Sequence, residues 1–258
     1  MNKTQRGGKR ARPDSRAYRA TAWFISGVVK SVSKFEFSGI ENLPMEGGFV
    51  AAANHATEID ALTLAHFLFE NGHEPRILAK RGLFTTPVIG WVMRTTRMIP
   101  VDRGTAEAQR SLDAAAEQLT KGACVAVFPE GTITRDPDLW PMEGKTGTAR
   151  IALAARVPVI PVAQWGVGDI LPRYSRRPRP IPRKRVRILA GPPVELSDLY
   201  DRADDPAAWR EATSRIMDAI TAEVATLRGE QAPAARFDLH LHPEYKKKQK
   251  HYPPLERP

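Results

Sequence analysis

The chain has 258 residues, 42% of them hydrophobic, and a formal net charge of +10. That length supports one substantial core with appendages, and the composition excludes both a chain disordered throughout and a membrane channel. The charge is uneven: residues 1–19 carry net +6, residues 172–187 net +8 and residues 236–258 net +3, so the rest of the chain stands at −7. Cationic segments on a mildly acidic body suit polyanions, whether nucleic acid or anionic lipid headgroups.

Residues 1–15 are rich in Lys, Arg and Gly and read as a disordered basic N-terminus. Residues 16–35 read as an amphipathic helix, with Tyr18, Ala22, Trp23, Ile25, Val28, Val29 and Val32 apolar and Arg16, Arg19, Lys30 and Lys34 cationic. An aromatic at a basic boundary suits a helix lying at a membrane interface; a helix packed on the core with its charges in water fits the same pattern. No stretch approaches the ~20 apolar residues that a spanning helix needs. Residues 20–29 follow a basic lead and mimic a signal peptide, but Lys30 comes at once and no small-residue cleavage site is near, so the segment reads as retained.

Further along, short apolar runs alternate with longer helical ones. Strands are predicted at 48–53, 76–79, 98–101, 124–128, 159–163 and 186–189. Helices are predicted at 58–69, 83–94 (with an early Pro87), 105–120, 147–155 and 206–227; the third is the clearest, with Ala108, Leu112, Ala115 and Leu119 on one face. This alternation implies an α/β fold, a central, mostly parallel sheet flanked by helices on both faces, preceded by the interfacial helix. The domain is expected over residues 36–230, with a basic C-terminal tail over 231–258. The single Cys124 rules out an intramolecular disulfide and, in the run Ala123–Phe128, reads as a buried thiol. His240 and His242 lack an evident third ligand, so no metal is expected.

In such sheets, sites collect in the loops beyond the carboxyl ends of strands. After the first strand comes Asn54-His55-Ala56-Thr57-Glu58-Ile59-Asp60. Histidine is the usual general base near neutral pH, and a carboxylate on its other ring nitrogen fixes the tautomer and stabilises the imidazolium. Five residues apart on one helix is about 140° of rotation, the wrong face. If His55 lies in the turn before the helix, Asp60 in its first turn can reach back. Two alternatives stay open: Asp60 serves only as part of a capping box with Thr57, or Glu58 faces the histidine. After the third strand, Asp102-Arg103-Gly104 joins a guanidinium suited to bidentate phosphate binding to a helix start. After the fourth, Phe128-Pro129-Glu130-Gly131-Thr132 sets an acid beside a glycine that permits close backbone approach. Val157-Pro158-Val159-Ile160-Pro161-Val162 reads as a strand whose prolines belong at its ends or at a bulge.

Together, these four blocks resemble the glycerol-phosphate and lysophosphatidate acyltransferase family, the 1-acylglycerol-3-phosphate O-acyltransferases and their relatives. The likeness lies in Asn54–Asp60 as N-H-x-[ST]-x-x-D, Ile99–Arg103 ending in Asp-Arg, Phe128–Thr132 as F-P-E-G-T, and Val157–Val162, and it spans roughly residues 35–195. The resemblance implies that His55 takes the proton from an acceptor hydroxyl, that Asp60 orients His55, and that the oxygen attacks an acyl-CoA or acyl-carrier-protein thioester directly. It implies that Arg103 holds the acceptor phosphate and that Glu130, Gly131 and Thr132 shape the acceptor site. No G-x-S-x-G nucleophile motif appears. The sequence departs from the family in Thr57, where serine is more frequent, and in Ile133, where an arginine often aids phosphate binding. Arg135 or Lys145 is the candidate substitute. The implied partners are lysophosphatidate or glycerol-3-phosphate, an acyl thioester and an anionic membrane surface, with no cofactor and no nucleic acid. The implied location is peripheral, on the cytoplasmic face of the cell membrane. Residues 171–187, with four prolines and eight cations, are expected as an exposed loop. Competing readings are another acceptor for the same chemistry, such as another lysolipid or a glycolipid, a thioester hydrolase, and a basic protein that binds membrane or nucleic acid without catalysis.

Overall fold

The computed structural model describes residues 16–101, 106–253 and 255. Seven strands form one sheet: β1 Ser33–Ser38, β2 Phe49–Ala53, β3 Pro75–Lys80, β4 Ile99–Val101, β5 Cys124–Val127, β6 Val159–Trp165 and β7 Lys184–Ala190. Their order is β1-β7-β6-β2-β5-β3-β4, and only the β6–β7 pair is antiparallel. Among the described residues six α-helices accompany it: α1 Arg16–Val32, α2 Asp60–Glu70, α3 Pro87–Thr95, α4 Ala106–Thr120, α5 Gly147–Ala155 and α6 Pro206–Arg228.

Alternation along the central strand splits the core in two. Val50 and Ala52 of β2 face one layer, packed with Leu119 of α4, Ile151 and Leu153 of α5, and Ile216, Ile220 and Val224 of α6. Phe49, Ala51 and Ala53 face the other, with Leu64, Phe67 and Leu68 of α2. The sheet is thus mostly parallel and covered on both faces, as the alternation of elements implies. Cys124 is buried in the second layer, where burial pushes its thiol far up.

The elements differ from expectation at three places. The N-terminal helix stops at Val32, and residues 33–38 are strand. Ser33-Lys-Phe-Glu-Phe-Ser alternates with period two, Phe35 and Phe37 turning to the α2 side while Lys34 and Glu36 face water. The helix expected over 83–94 is divided by Pro87, which opens α3 at its first turn, where the missing N–H is harmless; residues 81–85 form a 3₁₀ turn instead. Pro161 lies inside β6 rather than at an end. Val50 N donates to Pro158 O, so the alternate residues 160 and 162 bond β2 and Pro161 faces β7. There its carbonyl accepts from Gly191 N, and the β7 ladder begins one residue later, at Val162 and Ala190. The basic residues 1–15 lie outside the described residues.

Residues 231–253 are not extended from the body. Phe237, Tyr245 and Tyr252 are buried in a third cluster with Met142, and Glu143 N donates to Phe237 O at 2.9 Å. In the 171–187 segment Arg176, Arg177 and Ile181 are exposed, whereas Arg173 is buried and donates to Thr134 O and Asp136 O.

Candidate active site

β2 and β5 are neighbours and parallel, so the loops leaving their carboxyl ends lie side by side. The first holds His55, the second Phe128–Thr132. Helix α2 begins at Asp60, which leaves His55 in the turn before it. His55 Nδ1 and Asp60 Oδ2 are 3.0 Å apart. The same oxygen accepts from Ala56 N at 2.5 Å and Thr57 N at 2.7 Å, while Oδ1 accepts from the Thr57 hydroxyl at 2.8 Å. Asp60 therefore holds the turn and the imidazole together: its bonds to the Thr57 N–H and hydroxyl do not take it from the histidine. Glu58 is not the histidine's partner: its Oε2 accepts from Tyr174 N. With Nδ1 committed to Asp60, Nε2 is the ring nitrogen that can take a proton.

Three further contacts fix the imidazole. Its ring stacks on Phe128, with centroids 4.3 Å apart and planes 26° from parallel. His55 O accepts from Thr134 N at 2.7 Å, and His55 N donates to Glu130 Oε1 at 2.9 Å. Behind it, Asn54 ties β2 to β6: its Nδ2 donates to Gln164 O and its Oδ1 accepts from Gln164 N.

Glu130, expected to help shape the acceptor site, lies behind the loops. It is 2% exposed and bonds the two loops from behind, its second oxygen accepting from Met142 N at 3.1 Å. Burial pushes its carboxyl up to about 8, against the pull of these two N–H groups; the nearby Asp60 adds to the rise. Glu130 thus shapes the site by holding the His55 backbone, and its neighbours Gly131 and Thr132 line the cavity instead. Gly131 has φ +67°, a conformation that favours glycine, and a Cβ there would stand 3.1 Å from Lys145 Cδ. The Lys145 stem therefore lies across the glycine, and Lys145 N donates to Pro129 O. Arg135, the other candidate cation, is buried, and its Nη1 donates to Tyr245 O at 2.9 Å and Lys246 O at 2.5 Å. It faces the C-terminal segment rather than the cavity. Arg103 lies outside the described residues.

His55 stands at one end of a cavity of about 610 Å³. Its walls away from His55 are mostly apolar: Ile25 of α1, Leu62 and Phe69 of α2, Ile77 of β3, Met93 of α3 and Leu112 of α4. On α2, residues 61, 62, 65, 66 and 69 line it, one helical face about 12 Å long from the rise per residue. Such walls suit a hydrocarbon chain, with the imidazole among the polar groups that border it. Sequence reasoning missed Phe128 as a stacking partner, although it opens the F-P-E-G-T block. It also missed Tyr174 and Lys248, which line the His55 end from distant segments with no motif to mark them.

Residues 34–165 match the model of the family described as acyltransferase. A chloroplastic 1-acyl-sn-glycerol-3-phosphate acyltransferase of Brassica napus is 35% identical over 159 residues, 59% of this chain and 44% of the relative. One of Arabidopsis thaliana is 31% identical over 204 residues, 76% and 53% respectively. The chain thus spans about half the length of these curated relatives. The crystal structure of the 1-acyl-sn-glycerophosphate acyltransferase of Thermotoga maritima superposes with a TM-score of 0.63 at 23% identity, over 86% of this chain and 85% of that one, a likeness of fold.

Proposed function

The chain belongs to the acyltransferase family, and on that premise we propose that it transfers a fatty acyl group from a thioester to the free hydroxyl of 1-acylglycerol-3-phosphate. The observation that carries this reading is the His55–Asp60 pair, 3.0 Å apart, at the end of an apolar cavity. His55 Nε2 takes the hydroxyl proton as the oxygen attacks the thioester carbonyl. Asp60 stabilises the imidazolium that forms. The tetrahedral intermediate collapses, the carbon–sulfur bond breaks, and the thiol leaves with a proton. No acyl-enzyme and no cofactor enter; the donor is acyl-CoA or acyl-carrier protein.

An acceptor with its own acyl chain comes from a bilayer, and the outer surface suits that. Trp23 and Phe24 of α1 are 76% and 67% exposed, and Val88 of the neighbouring α3 is 74% exposed. The inner sides of the same two helices line the cavity, through Ile25, Val92 and Met93. Exposed apolar side chains on two neighbouring helices, with Arg16 and Arg19 on α1, support peripheral attachment to an anionic membrane. No helix among the described residues is long and apolar enough to cross one. In this reading the protein works on the cytoplasmic face of the cell membrane.

The test is acyl transfer by the purified protein from acyl-CoA or acyl-carrier protein to lysophosphatidate, to glycerol-3-phosphate and to no acceptor. Phosphatidate formation with lysophosphatidate, lost in His55→Ala by about 10³-fold or more, supports the proposal. Equal release of free fatty acid without acceptor, or full activity in His55→Ala, refutes it.

A further inference from the structure

The acceptor site holds a cation that comes from outside the family match. Lys248 lies 83 residues beyond its last residue, 165, yet it lines the cavity beside Thr132, Ile133 and Tyr174, its Nζ 5.8 Å from the Tyr174 ring centroid. The chain around it is held on both sides. Arg135 Nη1 donates to the carbonyls of Tyr245 and Lys246. The Tyr252 hydroxyl donates to Lys247 O at 3.1 Å and accepts from Gln249 N at 3.2 Å. Arg173 stacks over the Tyr252 ring at 4.6 Å, and Tyr252 and Tyr245 stack at 5.4 Å. Residues 245–252 thus form a strap pinned to the loop after β5, with Lys248 left exposed at the cavity. The exposed Lys145 also lines the cavity, its stem over Gly131, the neighbour of Thr132 in that loop. Among the described residues, neither ammonium is paired with a carboxylate. Ile133, which precedes both in the chain, is apolar and buried.

We propose that Lys248 and Lys145 together bind the phosphate of the acceptor, so that the C-terminal strap completes the substrate site. Arg135 then acts on that phosphate at one remove: it does not reach the cavity but fixes the carbonyls that precede Lys248. The inference rests on the acceptor assigned above. Two ammonium groups reached by flexible stems grip a phosphate as point charges rather than as a planar fork.

The experiment is steady-state transfer to lysophosphatidate in micelles of a neutral detergent, which removes any anionic surface, for wild type, Lys248→Ala, Lys248→Arg and Lys248→Glu. Loss of one charge-assisted hydrogen bond raises the KM for lysophosphatidate about tenfold in Lys248→Ala. The kcat and the KM for the thioester stay within about twofold, Lys248→Arg recovers most of the loss, and Lys248→Glu is worse than Ala. Added inorganic phosphate competes with lysophosphatidate in wild type and less well in Lys248→Ala. An unchanged KM in Lys248→Ala overturns the inference while leaving the acyltransferase reading intact. So does a fall in kcat and melting temperature that Lys248→Arg and Lys248→Ala share, since that is a structural role. If wild type shows no transfer to lysophosphatidate at all, the reading beneath the inference has failed, and the inference with it.

Discussion

Asp60→Asn removes one charge from the centre of the site and little else. The carboxylate accepts four hydrogen bonds, from His55 Nδ1, Ala56 N, Thr57 N and the Thr57 hydroxyl. An asparagine oxygen in the place of Oδ2 can still accept from both backbone N–H groups. Its NH₂ then meets the Thr57 hydroxyl, which rotates to accept where it had donated. The turn is kept, but bonds to an anion become bonds to a neutral group, at a cost of about 1 kcal/mol each for the two backbone donors. The effect on the reaction is larger. A proton on the imidazole lies about 4 Å from the carboxylate charge, worth about 4 kcal/mol at an effective dielectric near 20. Part of that charge has developed in the transition state, so kcat falls about 10²–10³-fold, since each 1.36 kcal/mol is tenfold. The assay is single-turnover transfer to lysophosphatidate, with the melting curve followed in parallel. A variant whose kcat stays within threefold of wild type while melting only slightly earlier refutes the reasoning: the imidazole would then act without its carboxylate.

His66 is buried against Phe35 and Phe37, and burial lowers its pKa to about 4. The unfolded chain takes up that proton near pH 6.5 and the folded one near 4, so this contribution is complete above pH 6.5 and is lost as pH falls towards 4, about 2 kcal/mol by pH 5. Glu130, raised to about 8, acts in the opposite sense, losing stability as pH rises from 4.5 towards 8, so the His66 share is read as the difference in urea midpoint slope between wild type and His66→Phe; equal slopes exclude it. Glu130→Gln leaves an NH₂ facing either His55 N or Met142 N, which destabilises by about 1–3 kcal/mol and lowers kcat; calorimetry that finds no loss contradicts the double-acceptor geometry. Gly131→Ala forces a Cβ into φ +67° and against Lys145 Cδ, costing about 1–2 kcal/mol and raising the acceptor KM; a melting temperature equal to wild type would show that the turn tolerates it. Trp23→Ser with Val88→Ser reduces sedimentation with anionic vesicles several-fold while activity in detergent persists; unchanged sedimentation removes the apolar patch from the membrane contact.

What the sequence disclosed was chemistry carried by local spacing. His55 and Asp60 could be paired because a turn followed by a helix start is short enough to reason about. The third block could be set beside the first because parallel strands deliver their loops to one edge. Helices α4, α5 and α6 were legible from apolar periodicity long enough to exclude other periods. Strand β1 was not, because six alternating residues directly after an amphipathic helix extend its apolar count before the period change becomes visible. The direction of Arg135 was hidden for a different reason: its partners are carbonyls of Tyr245 and Lys246, 110 residues away, and backbone acceptors leave no mark in a sequence. How Glu130 shapes the site was hidden for the same reason: the two N–H groups that it holds, of His55 and Met142, leave no mark in a sequence.

Helix α1 ends at Val32 and β1 begins at Ser33, with no linker between them. Whatever force acts on the outer side of that helix is delivered to the edge of the sheet as to one rigid lever. The tilt of the helix therefore sets the tilt of the strand that follows it, and the cavity wall that α1 supplies through Ile25 turns with both.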